Sequence, residues 1–459
     1  MNYHIRKEMD SSTFNKSKNP CRFFSSLTLP DGRVQQTILP HPPNQSIRMT
    51  ANKILFIVLD GISDRPNPVL GGTTPLAAAR TPVLDKLAAE GICGIMDTIA
   101  PGIRPGSDTA HLALLGYDPY KYYTGRGPLE CEGSGVHMEP GMIGFRCNYA
   151  TVSEDGNVLD RRAGRIHDTA ALSKAIQDGV DLSKFGVEFT FRSGAGHRAA
   201  LALKGEGIGH CVTSNDPKKE GVPPLIVSAV KKAANHEKTA AVCNEFVKQS
   251  TKILFDHPIN IERIKKGLSP ANIVLMRGAG EMGHFEPFGK KYGLTGSVIS
   301  AASLITGIGR AVGLTPVPVP GITGSIDSNI AGKIAAAQKE LETKDFVLVN
   351  IKGADESGHD GLAEQKRDFI MKIDAVLEPL LKQKDTIIII CGDHSTPCTL
   401  KDHSADPVPV IIRGDGVRRD DVVRFDEYTC AKGGLCRITG TAIMPIALDL
   451  INRAHKFGA

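Results

Sequence analysis

The chain has 459 residues, enough for two or three domains with cores of their own. Hydrophobic residues make up 41% and charged residues 23%, a balance that excludes disorder along most of the length. The net charge is +5, but seven Lys/Arg against three Asp/Glu in residues 1–50 supply four of those charges; the near-neutral remainder lacks the basic bias of a nucleic-acid or membrane-surface binder.

Residues 1–50 are basic, rich in Ser and Thr, and without apolar periodicity. They read as a disordered leader ahead of a start at Met49, with an organellar transit segment around NPCRFFSSL as the alternative. The ten cysteines are scattered without a CxxC pair, so reduced thiols and a cytoplasmic setting are expected, organellar import through residues 1–50 being the other reading. The longest apolar runs are broken by Arg310 or by Gly and Pro, which predicts no membrane helix.

From residue 53 the pattern becomes regular. KILFIVLDG (53–61) is an apolar strand ending in Asp-Gly, and the helical pattern TPVLDKLAAEG follows. The same form returns late in the chain as DFVLVNIKG (345–353), a helix over 363–383, the strand DTIIIICGD (385–393) and a last strand PVPVIIRG (407–414). Continuous apolar strands alternating with amphipathic helices predict a doubly wound, mostly parallel sheet built from residues 51–132 and 290–459. Residues 133–289 differ. GMIGFRCNYATV, GVEFTFRSG and HRAALALKG read as hairpin strands, with helices over 223–235 and 237–249, so a smaller α+β domain inserted through two hinges is expected to act as a lid.

Ligands of such sheets sit outside the carboxyl ends of the strands. Asp60 ends the first strand, Asp355 and His359 follow VLVNIKG, Asp393 and His394 end DTIIIICGD, and His403 precedes the last strand. Asp355 and His359 are four apart and converge on one helical turn, whereas the adjacent Asp393 and His394 are expected to point apart and serve different ions. Three carboxylates and three imidazoles are about enough for two divalent ions, with Mn²⁺ first and Mg²⁺, Co²⁺ or Zn²⁺ as alternatives. Ser107 in RPGSDTAHLALLGYDP opens a helix, where a phosphate would meet free N–H groups; bound to metal, its oxygen would be a nucleophile toward phosphorus. Singly, each residue has an ordinary explanation as a turn, an N-cap or a structural histidine. Their number at one sheet edge does not.

GADESGHDG, CGDHSTPC and DHSADPVP, with LDGISDRP and PGSDTAHLALLGYDP upstream, closely resemble the motifs of the archaeal-type cofactor-independent phosphoglycerate mutases, over about residues 52–455. That resemblance implies an alkaline-phosphatase-like fold and an isomerase that interconverts 3- and 2-phosphoglycerate through phosphoserine at Ser107, without 2,3-bisphosphoglycerate. It implies one ion on Asp60, Ser107, Asp393 and His394 and another on Asp355, His359 and His403. The insertion would hold a small phosphoglycerate with Arg146, Arg165, Arg198 and Arg277, Asp168 acting on the glycerate hydroxyl. Members of that family often carry lysine where this chain has Thr306; if that lysine helps catalysis, a neighbour such as Lys290, Lys291 or Lys352 must replace it, or activity suffers. A metal-dependent phosphatase or another phosphomutase of the same superfamily is the runner-up, and an inactive metal-binding scaffold comes third. The residues leave a homo-oligomer open.

Overall fold

The computed structural model describes residues 24–28, 34–38 and 51–458. The chain divides into two units, residues 1–48 and 49–459. In the first, strands β1 (Phe24–Thr28) and β2 (Val34–Ile38) pair antiparallel, and the remainder of the leader lies outside the described residues.

In the second unit, β3 (Lys53–Leu59) and β4 (Ile92–Asp97) come first. A block of strands follows: β5 (Ile143–Val152), β6 (Val158–Asp160), β7 (Val187–Ser193), β8 (Arg198–Gly205) and β9 (Ile273–Glu281). The chain then supplies β10 (Gly296–Ile299), β11 (Thr315–Pro316), β12 (Phe346–Ile351), β13 (Thr386–Cys391), β14 (Val408–Arg413) and β15 (Cys436–Thr439).

The large sheet has eight strands in the order β11-β10-β12-β3-β13-β14-β4-β15. All its pairs are parallel except those of β14 with β13 and with β4. The apolar runs of its strands are explained by helices on both faces. Ile387, Ile389 and Cys391 of β13 enter one core with Phe56 and Leu348, while Ile388 and Ile390 enter a second with Ile57 and Val349. The fold is therefore α/β with a mostly parallel sheet, and β12, β3 and β13, neighbours running the same way, deliver their carboxyl ends to one edge.

The second sheet is antiparallel, in the order β6-β5-β8-β7 with β9 also on β5, and has a separate core around Phe145, Tyr149, Leu201 and Phe246. Two helical expectations change here and beyond. Residues 223–233 are irregular because Pro223 and Pro224 lack N–H groups and restrict the chain, and one helix, Ala234–Phe255, takes the place of the two expected. The helix expected over 363–383 ends at Val376, two residues before a 3₁₀ turn, Glu378–Lys382, that contains Pro379. Between the sheets, the helices Gly127–Gly133 and Ser303–Ala311 meet almost backbone to backbone: a Cβ at Gly133 would come within 1.8 Å of the Ser303 carbonyl oxygen, and one at Gly307 within 1.8 Å of that of Leu129.

Candidate active site

The ligand-type residues gather at one edge of the large sheet. Asp60 follows β3, Asp393 and His394 follow β13, and the helix Gly353–Asp360 after β12 carries Asp355 and His359 one turn apart. His403 stands ahead of β14, whose reversed direction brings its start to the same edge. Beyond β4 a loop leads to the helix Ser107–Leu114, with Ser107 at its first position and Gly106 before it in extended conformation. Thr98 in that loop donates its hydroxyl to the Asp393 carbonyl at 2.7 Å.

Hydrogen-bond partners fix the histidine tautomers. Nδ1 of His359 faces the Lys401 carbonyl at 3.1 Å, and Nδ1 of His403 faces that of Pro105 at 2.8 Å. A carbonyl only accepts, so each Nδ1 carries a proton, and it is the neutral form of each ring that turns an Nε2 lone pair inward. These two Nε2 atoms are 3.2 Å apart and each lies 3.4 Å from Asp355 Oδ1. Three electron-rich atoms so arranged form a seat for a cation. Burial alone would lower the pKa of His403, but the hydrogen bond and charge of Asp355 raise it, so this pocket draws positive charge.

His394 is held in the same way. The Thr396 hydroxyl donates to Asp355 Oδ1 at 2.9 Å and so accepts from His394 Nδ1 at 3.0 Å. The His394 Nε2 lone pair then faces Ser107 Oγ at 3.2 Å, Asp393 Oδ2 at 3.3 Å and Asp60 Oδ1 at 3.6 Å. Asp393 and His394 thus turn toward one another, contrary to the expectation from their adjacency, because Asp393 Oδ1 is tied back to the N–H groups of Gly61 and His394. Its other oxygen, Oδ2, is buried with no hydrogen-bond partner. Burial and the neighbouring Asp60 charge push the Asp393 carboxyl up to about 7, and burial takes the His394 imidazole down to about 3. A buried carboxylate oxygen without a donor, among inward lone pairs, fits divalent cations; Asp355, His359 and His403 form one potential ligand group and Asp60, Asp355 and His394 another.

Several members of the site were not singled out from the sequence. Asn350, the polar residue in the apolar run of β12, donates to Asp60 Oδ2 at 3.0 Å. His111, one turn beyond Ser107, donates Nδ1–H to the Ser107 carbonyl at 2.8 Å and lies 3.7 Å from Asp393 Oδ2. The i, i+4 spacing of Ser107 and His111 was the available signal. Of the three lysines considered as substitutes at Thr306, only Lys352 reaches the group: its Nζ is 2.5 Å from Asp355 Oδ2 and 3.3 Å from Asp60 Oδ1, and those charges raise its pKa against the effect of burial. Lys291 instead lies over the Tyr117 ring, and Thr306 directs its hydroxyl toward the Ser300 carbonyl.

Three of the four arginines lie on strands of the antiparallel sheet. Arg146 of β5 is paired with Arg277 of β9, and Asn148, two residues on, is paired with Arg198 of β8. Burial, then the charges of Arg126, Arg277 and Arg198, push Arg146 down to about 9. Burial together with Arg198, Arg162 and Arg146 takes His197 down to about 4, so these side chains share one electropositive region. Acids hold it together: Asp216 takes a two-pronged contact from Arg161 at 2.9 and 2.7 Å and one from Arg277 at 3.3 Å, and Glu130 lies between Arg126, Arg146 and the Ser303 hydroxyl. Arg165 is exposed, in a turn where Ala163, Gly164 and Arg165 all have positive φ, braced by Asp160 accepting the Gly164 N–H at 2.6 Å. Asp168 is also exposed and accepts the N–H of Ala170, the first residue of the helix Ala170–Gly179.

Comparison with known proteins follows the same line. A family model described as 2,3-bisphosphoglycerate-independent phosphoglycerate mutase matches residues 88–260. Proteins of that name from Methanoculleus marisnigri and Methanosphaerula palustris are each 65% identical, over 90% and 89% of this chain and the whole of theirs. The enzyme named phosphoglycerate mutase 1 of this kind from Archaeoglobus fulgidus is 51% identical over 88% of the chain and all of its own length. Among solved structures, the cofactor-independent phosphoglycerate mutase of Thermoplasma acidophilum is 38% identical with a TM-score of 0.64, covering 87% of this chain and 100% of its own. A protein from Pyrococcus horikoshii is 36% identical with a TM-score of 0.77, covering 89% and 100%. With relatives this similar over nearly its whole length beyond the leader, the chain belongs to the 2,3-bisphosphoglycerate-independent phosphoglycerate mutase family.

Proposed function

We propose that this chain interconverts 3-phosphoglycerate and 2-phosphoglycerate by way of phosphoserine at Ser107, without 2,3-bisphosphoglycerate. The observation that carries this reading is a nucleophile-type hydroxyl at the start of a helix, 3.2 Å from an imidazole nitrogen that also faces two carboxylates, one with an unpartnered oxygen. Asp60, Asp393, His394 and Ser107 are the ligands we assign to one divalent ion, and Asp355, His359 and His403 those of the other, with Mn²⁺ as the first candidate. Bound there, such ions supply positive charge against the transferring phosphoryl group and favour the ionised serine hydroxyl.

In the proposed sequence, Ser107 Oγ bonds to phosphorus as the substrate's ester P–O bond breaks and the departing glycerate oxygen takes up a proton. The second glycerate hydroxyl then loses its proton, attacks the phosphoserine and frees Ser107, so bonds and protons balance over the cycle. N–H groups in the first turn of the Ser107 helix face the phosphoryl oxygens, and the Lys352 ammonium adds a fixed positive charge beside them. Residues 133–289 serve as a lid, with Arg146, Arg165, Arg198 and Arg277 holding the glycerate carboxylate and hydroxyls. Asp168 is the proposed group for proton exchange with the glycerate hydroxyl.

The test is a coupled assay with 3-phosphoglycerate and Mn²⁺, without 2,3-bisphosphoglycerate, following 2-phosphoglycerate and free phosphate together. Isomer without phosphate is expected, and EDTA should abolish it until Mn²⁺ or Co²⁺ is returned. Phosphate without isomer overturns the mutase reading in favour of a phosphatase, and activity indifferent to EDTA overturns the metal assignment.

A further inference from the structure

Behind the ligands lies a charged pair that the proposed reaction does not use. Lys366, in the helix Ala363–Val376, and Asp64, four residues after Asp60, both have side chains with 0% exposure. An ammonium has three protons to place, and all three find oxygen at 2.9 Å: the Ser63 carbonyl, the Thr396 carbonyl and Asp64 Oδ2. Asp64 in turn accepts the Cys398 N–H with both oxygens at 3.1 Å and the Arg65 N–H at 2.8 Å. The acceptors belong to two loops. Ser63 is in the loop that begins at Asp60, and Thr396 and Cys398 are in the loop that begins at Asp393 and His394.

The same loops meet at a second point. The Thr396 N–H donates to the Ser63 carbonyl at 3.0 Å, and the Ser404 N–H, next to His403, donates to the Ser395 carbonyl at 3.0 Å. Thr396 also reaches forward, holding His394 Nδ1 and Asp355 Oδ1 through its hydroxyl. One buried ammonium is therefore two steps, through Thr396, from His394 and Asp355, holds the loop of Asp60 at Ser63 and Asp64, and belongs to the helix that follows directly from the segment carrying Asp355 and His359.

We infer that the Lys366–Asp64 pair is a positioning element of the metal centre, setting the spacing between the Asp60 loop and the Asp393–His394 loop so that their donor atoms converge. A buried ion pair adds little net stability over apolar residues of similar size, so a purely stabilising role does not account for it. The pair gives directionality instead, which apolar packing between two irregular loops would not. This inference rests on the ligand assignment proposed above.

The experiment compares wild type with Lys366→Met, Asp64→Asn and the double variant, reading thermal stability, Mn²⁺ binding by calorimetry, and kcat and KM separately. The singles strand one buried charge and are expected to lose stability; the double strands neither and is expected to recover it. Mn²⁺ affinity of the double should nevertheless stay about tenfold or more below wild type, as for loss of a ligand-supporting contact, with kcat reduced and KM for phosphoglycerate little changed. A double variant that is stable and binds Mn²⁺ as wild type does would overturn the inference. If Lys366→Met does not fold, Asp64→Asn, which keeps an oxygen for the Cys398 N–H, carries the same reading. A wild-type chain that takes up no Mn²⁺, Co²⁺ or Zn²⁺ defeats the ligand assignment itself, an outcome distinct from wild-type uptake that the variants leave unchanged.

Discussion

The edge of the parallel sheet and the arginine face of the antiparallel sheet solve opposite problems. At the edge, negative and lone-pair-bearing groups converge, from buried Asp60, Asp355, Asp393 and His394 out to half-buried His403 and exposed His359, and they are held from behind: His359 and His403 by carbonyls, His394 by Thr396, Asp60 by Asn350. On the antiparallel sheet, cations are gathered at half-buried or exposed positions and restrained by two acids, Asp216 and Glu130. The first arrangement is fixed before anything binds, which suits bond making. The second keeps its charges on long, flexible side chains, which suits holding a ligand that must turn around between two transfers.

The sharpest break in this comparison is at Ser107. If chemistry is confined to the sheet edge, Ser107→Ala should lower turnover by about a thousandfold or more while Mn²⁺ binding persists, since a nucleophile that acts with its neighbours is lost outright. Retained turnover would move the chemistry elsewhere. Arg277→Ala tests the other side. Asp216 keeps its two-pronged contact with Arg161, so the fold should survive, and KM should rise about thirtyfold or more, the ~2 kcal/mol typical of stranding a bound charge. An unchanged KM would remove Arg277 from substrate holding.

A smaller effect concerns the carboxyl of Glu427, which accepts the Asp64 N–H at 3.2 Å and the Thr74 hydroxyl at 2.8 Å. Burial pushes it up to about 7 from an ordinary 4.5. A raised folded-state pKa favours the protonated folded form, so this contribution is complete below pH 4.5 and is lost as pH rises through about 7. Glu427→Gln should therefore raise stability above pH 7 by up to about 3 kcal/mol and leave it unchanged near pH 4, as read from thermal melts across that range. The smallest effect on stability is expected from Asp168→Asn, less than about 1 kcal/mol from a weaker contact with the Ala170 N–H, while turnover should fall by about a hundredfold if this carboxylate exchanges the glycerate proton. Turnover left nearly unchanged would take Asp168 out of the proton exchange and return all the chemistry to the sheet edge.

How much of this was legible depended on which physical rule each region obeys. The strand ends were readable because a strand buried on both faces must be apolar, so that Asp60, Asp355 and Asp393 stand out where KILFIVL, FVLVNI and TIIIIC stop. The mutual orientation of Asp393 and His394 was not, since it follows from where the N–H groups of Gly61 and His394 fall in three dimensions. Glu130, Asp216 and Asn350 were missed for a related reason: an acid or amide that satisfies a partner far along the chain looks like any surface residue until the fold joins them. Pro223 and Pro224 in turn were legible as helix breakers and should have outweighed the apolar pattern around them.

The backbone contact at Gly133 and Gly307 has a consequence for how this protein can vary. Since carbonyl oxygens already occupy the space of any added methyl group, neither position can accept even alanine without the two helices moving apart. Such separation would carry Ser303 away from Glu130, and with it the anchor of Arg146. Drift in sequence at that crossing is thereby barred by main-chain atoms alone, and two residues without side chains set the tolerance of a site whose named members are all elsewhere.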